Sequence, residues 1–282
     1  MSAAIAAVHR LSRFRWSIVQ SGKPANVTPV PGTDHAAAIQ SMLRPRDFVL
    51  VHGAWHGGWC WERVAALLRE EGHRVFTPTL TGLAERSHLM SHGITLHTHI
   101  RDVVDVFRQE HVADAILVGH SFGGWVVSGV VEELRTSVAA LVFVDAHVPF
   151  DGQVPLTASH HREQIDLALR EGRPSTPPRP DAAEWFRVNE LDRARVQAQL
   201  TDQPVGVYLK PLHLTGAREA VEQKAYVRSM RFESKTFEAY REDAEKDGWR
   251  TYDVDCGHDI MIDDSVRLAA ILREMCSAER TF

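Results

Sequence analysis

Short apolar runs without polar alternation recur along the chain and predict strands that are buried on both faces. They fall at residues 48–51, 73–77, 115–118, 139–144, 225–229 and 251–254. Strands of a parallel sheet covered on both faces by helices are apolar throughout. The pattern therefore predicts a mainly parallel central sheet.

Between these runs lie stretches in which apolar residues recur at helical spacing. They are residues 61–71, 99–110, 125–134, 237–246 and 265–276. Regular alternation of strand and helix, joined by right-handed crossovers, is typical of an α/β fold. We expect one α/β core built from residues 46–148 and 218–282.

The alternation is interrupted between residues 149 and 217, which hold a proline-rich stretch at 173–180 and helical patterns at 161–171 and 181–200. An insertion at the carboxyl ends of parallel strands lies where α/β proteins bind ligands. We expect residues 149–217 to form a mostly helical cap over a substrate pocket. A surface excursion without a binding role is the alternative.

Residues 1–45 precede the core pattern and are expected to form an N-terminal extension. The first 33 of them contain no Asp or Glu, but they carry three Arg and one Lys. An acid-poor start of this kind is also found in organelle transit peptides, which is the alternative. Residues 15–19 are a candidate for an added edge strand.

Composition and charge restrict the class of protein. The chain has 282 residues, of which 44% are hydrophobic and 24% charged, as in ordinary globular proteins. A formal net charge of -5 offers no basic surface for nucleic acid or an anionic membrane. No apolar run reaches membrane-spanning length. Three scattered cysteines favour a reducing, cytoplasmic compartment, and no histidine group has metal-ligand spacing.

Chemistry is indicated first by the sequence Gly-His-Ser-Phe-Gly at residues 119–123, between an apolar run and a helical stretch. Gly-x-Ser-x-Gly in a strand–turn–helix context is typical of a nucleophile elbow. The sharp turn strains the serine backbone, and the following helix dipole favours negative charge at its beginning. Ser121 is therefore the predicted nucleophile.

A serine hydroxyl needs a base within hydrogen-bond reach, and the base needs an orienting acid. His258 stands in a loop after the last predicted strand and is the candidate base. Asp145 ends an apolar strand, where a carboxylate needs a partner, and is the preferred acid. Glu233, after the strand at 225–229, is the alternative acid, and capping of the following loop is the alternative role of Asp145.

Attack on a carbonyl carbon creates an oxyanion that needs preorganised donors. We expect them to be the backbone N–H of Phe122, directly after the nucleophile, and that of Ala54, in the glycine-rich loop after the first strand. This loop lacks the ending of a phosphate-binding loop. Several aromatic and histidine side chains are expected to line the pocket: Trp55, His56, Trp125, Trp185, Phe186 and Tyr208.

The chain resembles the α/β-hydrolase family, and more narrowly the branch with plant methyl-ester esterases, hydroxynitrile lyases and related bacterial esterases. The resemblance covers residues from about 46 to the end, and its motifs lie at residues 48–61, 81–89, 119–124, 145–149 and 257–259. It implies an α/β-hydrolase fold with a mainly parallel sheet flanked by helices, a mostly helical cap insertion and no cofactor.

The departures from that branch are also informative. Plant esterases carry their acid after the strand at 225–229, at the position of Phe232, and this favours Asp145. The lyases use Thr and Lys where Gly53 and Asp259 stand here, so the resemblance implies an esterase and not a lyase.

These features lead to one hypothesis: a serine carboxylesterase that cleaves a small-to-medium ester through an acyl-enzyme on Ser121. The same triad could instead cleave a lactone, thioester, amide or carbon–carbon bond, because specificity depends on the cap. A ligand-sensing protein on a hydrolase fold is the alternative from another class. We expect a small-molecule ester as the partner, no nucleic acid or membrane, and a monomer or homodimer.

Overall fold

The protein was analysed as a computed structural model, which describes residues 45–158 and 162–276. The predicted N-terminal extension and the candidate strand at residues 15–19 lie outside the described residues. The division of the chain into extension, core and cap therefore stays a prediction. Across residues 45–158 and 162–276, none of the helices has the length and apolar character needed to cross a bilayer.

Eight strands are formed within the described residues. In chain order they are β1 (Asp47–Val51), β2 (Arg74–Phe76), β3 (Ala115–His120), β4 (Val138–Val144), β5 (Ser175–Thr176), β6 (Gln203–Pro204), β7 (Gln223–Ser229) and β8 (Arg250–Val254). Six of them form one sheet in the order β2-β1-β3-β4-β7-β8, and each neighbouring pair is parallel. The predicted parallel α/β fold is confirmed.

Nine α-helices connect or follow the strands. They are α1 (Glu62–Glu70), α2 (Leu96–Gln109), α3 (Gly123–Leu134), α4 (Arg162–Arg170), α5 (Ala182–Trp185), α6 (Glu190–Gln199), α7 (Lys235–Lys246), α8 (Ile260–Asp263) and α9 (Ser265–Glu274). Short 3-10 helices also occur, among them Gly58–Trp61 and Val205–Tyr208. The count refers to residues 45–158 and 162–276 only.

The centre of the sheet is buried on both faces. Every residue of β3 is buried, and six of the seven residues of β4 are. Helix α3 packs closely against this centre because its first residue is glycine. A Cβ atom on Gly123 would lie 2.8 Å from the carbonyl oxygens of Val51 and His52. Without a side chain at Gly123, the helix can begin directly at the carboxyl ends of β1 and β3.

The predicted cap, residues 149–217, lies between two strands that pair directly, β4 and β7. It contains α4, α5 and α6, and the two-residue strands β5 and β6, which pair antiparallel. The helical pattern predicted at 181–200 is two helices and not one. Arg187 has a φ of 61°, which interrupts the helix, and Asn189 caps α6 by accepting a hydrogen bond from the Asp192 N–H at 3.1 Å.

Candidate active site

Ser121 lies at the sharp turn between β3 and α3. Its φ is 51°, in the left-handed region that a residue with a Cβ atom adopts only at a cost. The turn packs closely against the backbone of His147 because residue 124 is glycine. A Cβ atom on Gly124 would overlap the His147 carbonyl oxygen. Ser121 is half-buried.

His258 and Asp145 form a short hydrogen bond. His258 follows β8 in a loop and Asp145 follows β4, and the distance from His258 Nδ1 to Asp145 Oδ2 is 2.6 Å. Both side chains are buried, His258 to 2% exposure and Asp145 to 0%. Glu233, the alternative acid, is exposed, and the structure does not bring it to His258. The acid beside the candidate base is therefore Asp145.

Asp145 is fixed by its backbone as well as by its side chain. Its φ is 42°, and its N–H donates to the Val227 carbonyl oxygen at 2.7 Å, which prolongs the β4–β7 pairing by one bond. The left-handed conformation turns the side chain out of the strand direction. Its Oδ1 atom accepts from Arg228 Nη1 at 2.7 Å and from the Ser229 N–H at 3.2 Å. Sequence reasoning did not identify Arg228.

The loop after β1 passes directly against Ser121. A Cβ atom on Gly53 would lie 2.8 Å from the Ser121 Cβ, so only glycine lets the loop come this close. In the following turn Trp55 has a φ of 64°, and its backbone N–H donates to Gln203 Oε1 at 3.0 Å. Among the described residues, the N–H groups of Ala54 and Phe122 have no acceptor. They are available to a ligand.

A cavity opens at Ser121 and encloses about 490 Å³ of space not filled by atoms, including its mouth. Ser121, His258 and the two candidate oxyanion residues all border it. The other lining residues are mostly aromatic: Trp55, Trp125, His147, Pro155, Trp185, Phe186, Tyr208, Phe232 and Phe237. Five of the six predicted pocket residues thus line the cavity, and His56 is the exception.

His56 was expected to line this pocket, and it does not. Its side chain is 1% exposed, with Nδ1 2.8 Å from the Ala54 carbonyl oxygen and Nε2 3.1 Å from Asp259 Oδ2. Burial alone would lower the pKa of His56, but the charge and hydrogen bond of Asp259 outweigh it and raise that pKa. His56 is therefore a buried partner of Asp259, and it ties the loop of Ala54 to the loop of His258.

Asp259 is the anionic half of this buried pair and is 0% exposed. Burial by itself would raise the pKa of its carboxyl group. The charge of His56 and its hydrogen bond reverse the effect and lower the pKa of Asp259 to about 2. The pair could not be found from the sequence because its members are 203 residues apart.

Three aromatic rings surround the His258 imidazole. The ring centroids of Phe232, Phe186 and Phe237 lie 4.5, 5.3 and 5.6 Å from that of His258, and the Phe237 plane is nearly parallel to it, at 8°. The rings keep water from most of the imidazole.

A metal ion would find three potential ligands nearby: His120, His258 and Asp259 offer atoms within 4.8 Å of one another, and no other such group occurs in the described part of the chain. Burial lowers the pKa of His120 well below its ordinary value, so the ring is neutral. Its Nε2 lies 3.1 Å from the His258 carbonyl oxygen. Since His258 is also bonded to Asp145, metal binding would require these hydrogen bonds to break.

Comparison with known proteins gives a consistent result. The model of the alpha/beta hydrolase family matches residues 48–271. A carbendazim hydrolyzing esterase from Nocardioides sp. (strain SG-4G) is 38% identical over 241 residues, which cover 79% of this chain and 96% of that protein. Methyl jasmonate esterase 1 from Vitis vinifera is 36% identical over 108 residues, covering 38% and 41% of the two chains.

Among solved structures, an extracellular alpha/beta-hydrolase from a Paenibacillus species is similar, with a TM-score of 0.71 and 23% sequence identity. The similarity covers 83% of this chain and 100% of that one. At this identity the comparison concerns the fold alone.

Proposed function

Because the chain belongs to the alpha/beta hydrolase family and is an ester hydrolase of the serine type, we propose that Ser121, His258 and Asp145 form its catalytic triad. The observation that carries this proposal is the buried 2.6 Å contact between His258 Nδ1 and Asp145 Oδ2, beside a cavity that Ser121 also borders. With Nδ1 held by Asp145, the other ring nitrogen, Nε2, is the one available to the serine hydroxyl.

In the first half of the reaction, Ser121 Oγ attacks the ester carbonyl carbon while His258 takes the hydroxyl proton. The carbonyl oxygen becomes an oxyanion, which the N–H groups of Ala54 and Phe122 stabilise. When the carbon–oxygen bond to the leaving group breaks, His258 returns the proton to it and an alcohol departs. The acyl group remains on Ser121.

In the second half, a water molecule takes the place of the alcohol. His258 removes a proton from this water as its oxygen attacks the acyl carbon, and the same two N–H groups hold the new oxyanion. The bond to Ser121 Oγ then breaks, and His258 gives the proton back to the serine. Asp145 stays ionised throughout and stabilises the imidazolium that forms in each half.

The cavity supports a neutral, partly aromatic ester as the substrate class. The described residues that line it include no Asp, Glu, Lys or Arg, so a charged substrate would lose its hydration there without gaining a counter-charge. Aromatic rings gain from stacking on the aromatic lining. The name of the Nocardioides relative makes carbendazim the first compound to test. Lactones and thioesters remain alternatives, since the same triad can cleave them.

The cytoplasmic location stays a proposal as well. It is supported by Cys60, Cys256 and Cys276, all buried and free thiols.

The proposal is tested by trapping the acyl-enzyme. Wild type and Ser121→Ala are mixed with a p-nitrophenyl ester, and the acyl adduct is located by mass spectrometry after rapid acid quenching. Ser128→Ala is the matched control, because Ser128 is a buried serine of α3 that donates only to the Gly124 carbonyl oxygen. We expect an adduct on Ser121 in wild type and in Ser128→Ala, and none in Ser121→Ala. An adduct at another residue, or full turnover by Ser121→Ala, would refute the proposal.

A further inference from the structure

A buried arginine lies on the far side of the proposed catalytic acid. Arg228 belongs to β7, its side chain is 4% exposed, and its Nη1 lies 2.7 Å from Asp145 Oδ1. The other carboxylate oxygen, Oδ2, faces His258. The carboxylate of Asp145 is therefore bonded to an imidazole on one side and to a guanidinium on the other.

The guanidinium also holds the backbone around the site. Its Nη2 donates to the Phe232 carbonyl oxygen at 2.6 Å, and its Nη1 donates to the Ser229 carbonyl oxygen. The Phe232 ring in turn lies 4.5 Å from the His258 ring. One side chain thus fixes both the acid that orients His258 and an aromatic ring that covers it.

Burial makes this arrangement demanding. An arginine side chain inside a protein loses its hydration and is retained only where paired and hydrogen-bonded. Asp145 would be adequately held by the Ser229 N–H and His258 alone, because a carboxylate accepts a few hydrogen bonds from neutral donors readily. The added full charge therefore calls for a role beyond satisfying the acid.

We propose that Arg228 is a positioning residue of the esterase reaction, whose charge opposes the addition of a proton to the Asp145–His258 pair. This inference rests on the proposed triad. A proton added to the pair raises its charge by one, whichever of the two residues carries it. A neighbouring cation opposes that addition, so His258 remains a neutral base at lower pH than it would without Arg228.

The size of the effect follows from the geometry. Two consecutive hydrogen bonds across one carboxylate separate the guanidinium from the imidazole by roughly 7 Å, and a charge at that distance shifts a proton equilibrium by about 1 to 2 pH units. Loss of the charge should therefore move the acid limb of activity upward by about that amount.

Other ionisable groups around the pair act in known directions. Glu238 of α7 lies 3.5 Å from Arg228 Nε but is 46% exposed, so water screens it. Asp259 is already paired with His56, while His120 is neutral. Burial raises the pKa values of Tyr226 and Cys256, so both are uncharged. Within the described residues, Arg228 is the full positive charge that contacts Asp145.

The test compares the pH dependence of kcat/KM for wild type, Arg228→Gln and Arg228→Lys, because this profile reports the free enzyme. Glutamine removes the charge but keeps N–H donors for the carbonyl oxygens of Ser229 and Phe232. Lysine keeps the charge but lacks the planar guanidinium group that reaches several acceptors at once. Glu238→Gln is the matched control from the solvent side. Circular dichroism and the melting temperature verify that each variant is folded.

We expect the acid limb of Arg228→Gln to lie about 1 to 2 pH units above that of wild type. The acid limb of the Arg228→Lys profile should stay near the pH of the wild-type limb, although the maximal kcat/KM is reduced. The acid limb of the Glu238→Gln profile should move slightly to lower pH or not at all. A uniform loss of rate in Arg228→Gln with an unmoved limb would overturn the inference, as would a glutamine-like shift in Arg228→Lys. If Arg228→Gln does not fold, Arg228→Met replaces it as the variant without the charge, and the same upward shift of the acid limb is expected.

Asp145→Asn is measured in parallel. If Asp145→Asn retains the wild-type rate, the triad itself is wrong and the inference falls with it. If it loses the rate while the limb of Arg228→Gln is unmoved, only the inference about Arg228 fails.

Discussion

Replacing Asp259 by asparagine removes one charge from a fully buried ion pair while nearly preserving its shape. His56 is held through both ring nitrogens, by the Ala54 carbonyl oxygen at 2.8 Å and by Asp259 Oδ2 at 3.1 Å. Both acceptors are satisfied at once only by an imidazolium, which has two N–H donors. In Asp259→Asn the imidazole can become neutral and accept a hydrogen bond from the new amide. The variant therefore isolates the charge interaction.

The magnitude follows from the pKa of the carboxyl group. His56 and its surroundings lower the pKa of Asp259 from 3.8 to about 2. At 1.36 kcal/mol per pH unit, this difference corresponds to a folding stability on the order of 2 kcal/mol. We expect Asp259→Asn to lower the free energy of unfolding by about 2 to 3 kcal/mol at mildly acidic pH.

The stability contributed by the His56–Asp259 pair falls both at low pH and at high pH. Because the folded-state pKa of Asp259 is lowered, its contribution is complete above pH 3.8 and is lost as the pH falls toward about 2. Because the folded-state pKa of His56 is raised above 6.5, its contribution is complete below that pH and is lost as the pH rises. The pair therefore stabilises the fold most between about pH 4 and pH 6.5.

Urea unfolding followed by tryptophan fluorescence, at pH 5.5 and at pH 9, measures both effects. The deficit of Asp259→Asn should be large at pH 5.5 and smaller at pH 9. The matched control is Asp255→Asn, whose partner Arg231 is 2.8 Å away but whose side chains are 79% and 62% exposed. An exposed pair of this kind contributes little to stability, because water screens the two charges. Equal, small losses in both variants, or a deficit independent of pH, would refute the reasoning.

Two further substitutions and one NMR titration have expected outcomes. Gly124→Ala should unfold at a lower temperature than Gly93→Ala, because a Cβ at position 124 overlaps the His147 carbonyl whereas one at 93 lies 3.7 Å from its nearest neighbour; equal melting temperatures would contradict this. Trp185→Ala should raise KM for aromatic esters about tenfold with little change in kcat, since it removes an aromatic wall of the cavity and not a reacting group; a fall in kcat alone would contradict this. His52, whose pKa burial lowers to about 3, should keep a neutral imidazole in NMR titrations between pH 4 and 8, and a transition near 6.5 would contradict this.

Much of the fold was predictable because the central strands of the main sheet are buried on both faces. β3 and β4 are continuous apolar runs, which a surface strand would not show. The two-residue strands β5 and β6 were not predictable, since two residues carry no periodicity. The break between α5 and α6 was also missed, because the helical pattern continues through Arg187, whose left-handed backbone depends on tertiary contacts.

The site was predictable where local sequence determines local geometry. Ser121 is indicated by a turn motif within five residues, and His258 by its place after the last strand. Sequence reasoning preferred Asp145 to Glu233 as the acid, but it could not place either side chain beside His258, because both follow a strand end. The structure brings Asp145 to His258 and leaves Glu233 exposed.

Arg228 and His56 show where sequence reasoning stops. A basic residue in a strand usually indicates a solvent-exposed position, but Arg228 points into the protein because Asp145, 83 residues away, offers a counter-charge. His56 lies in the loop of Ala54, yet Asp259 draws it away from the cavity. Both positions depend on partners distant in sequence.

The most direct test of the triad is the ratio of kcat/KM for Asp145→Asn and Glu233→Gln, measured on one neutral aromatic ester with folded variants. We predict a loss of about three to four orders of magnitude for Asp145→Asn, because the asparagine cannot stabilise the imidazolium of His258. Glu233→Gln should stay within about twofold of wild type, as expected for an exposed side chain away from the reacting groups. A large loss in Glu233→Gln with an active Asp145→Asn would contradict the account.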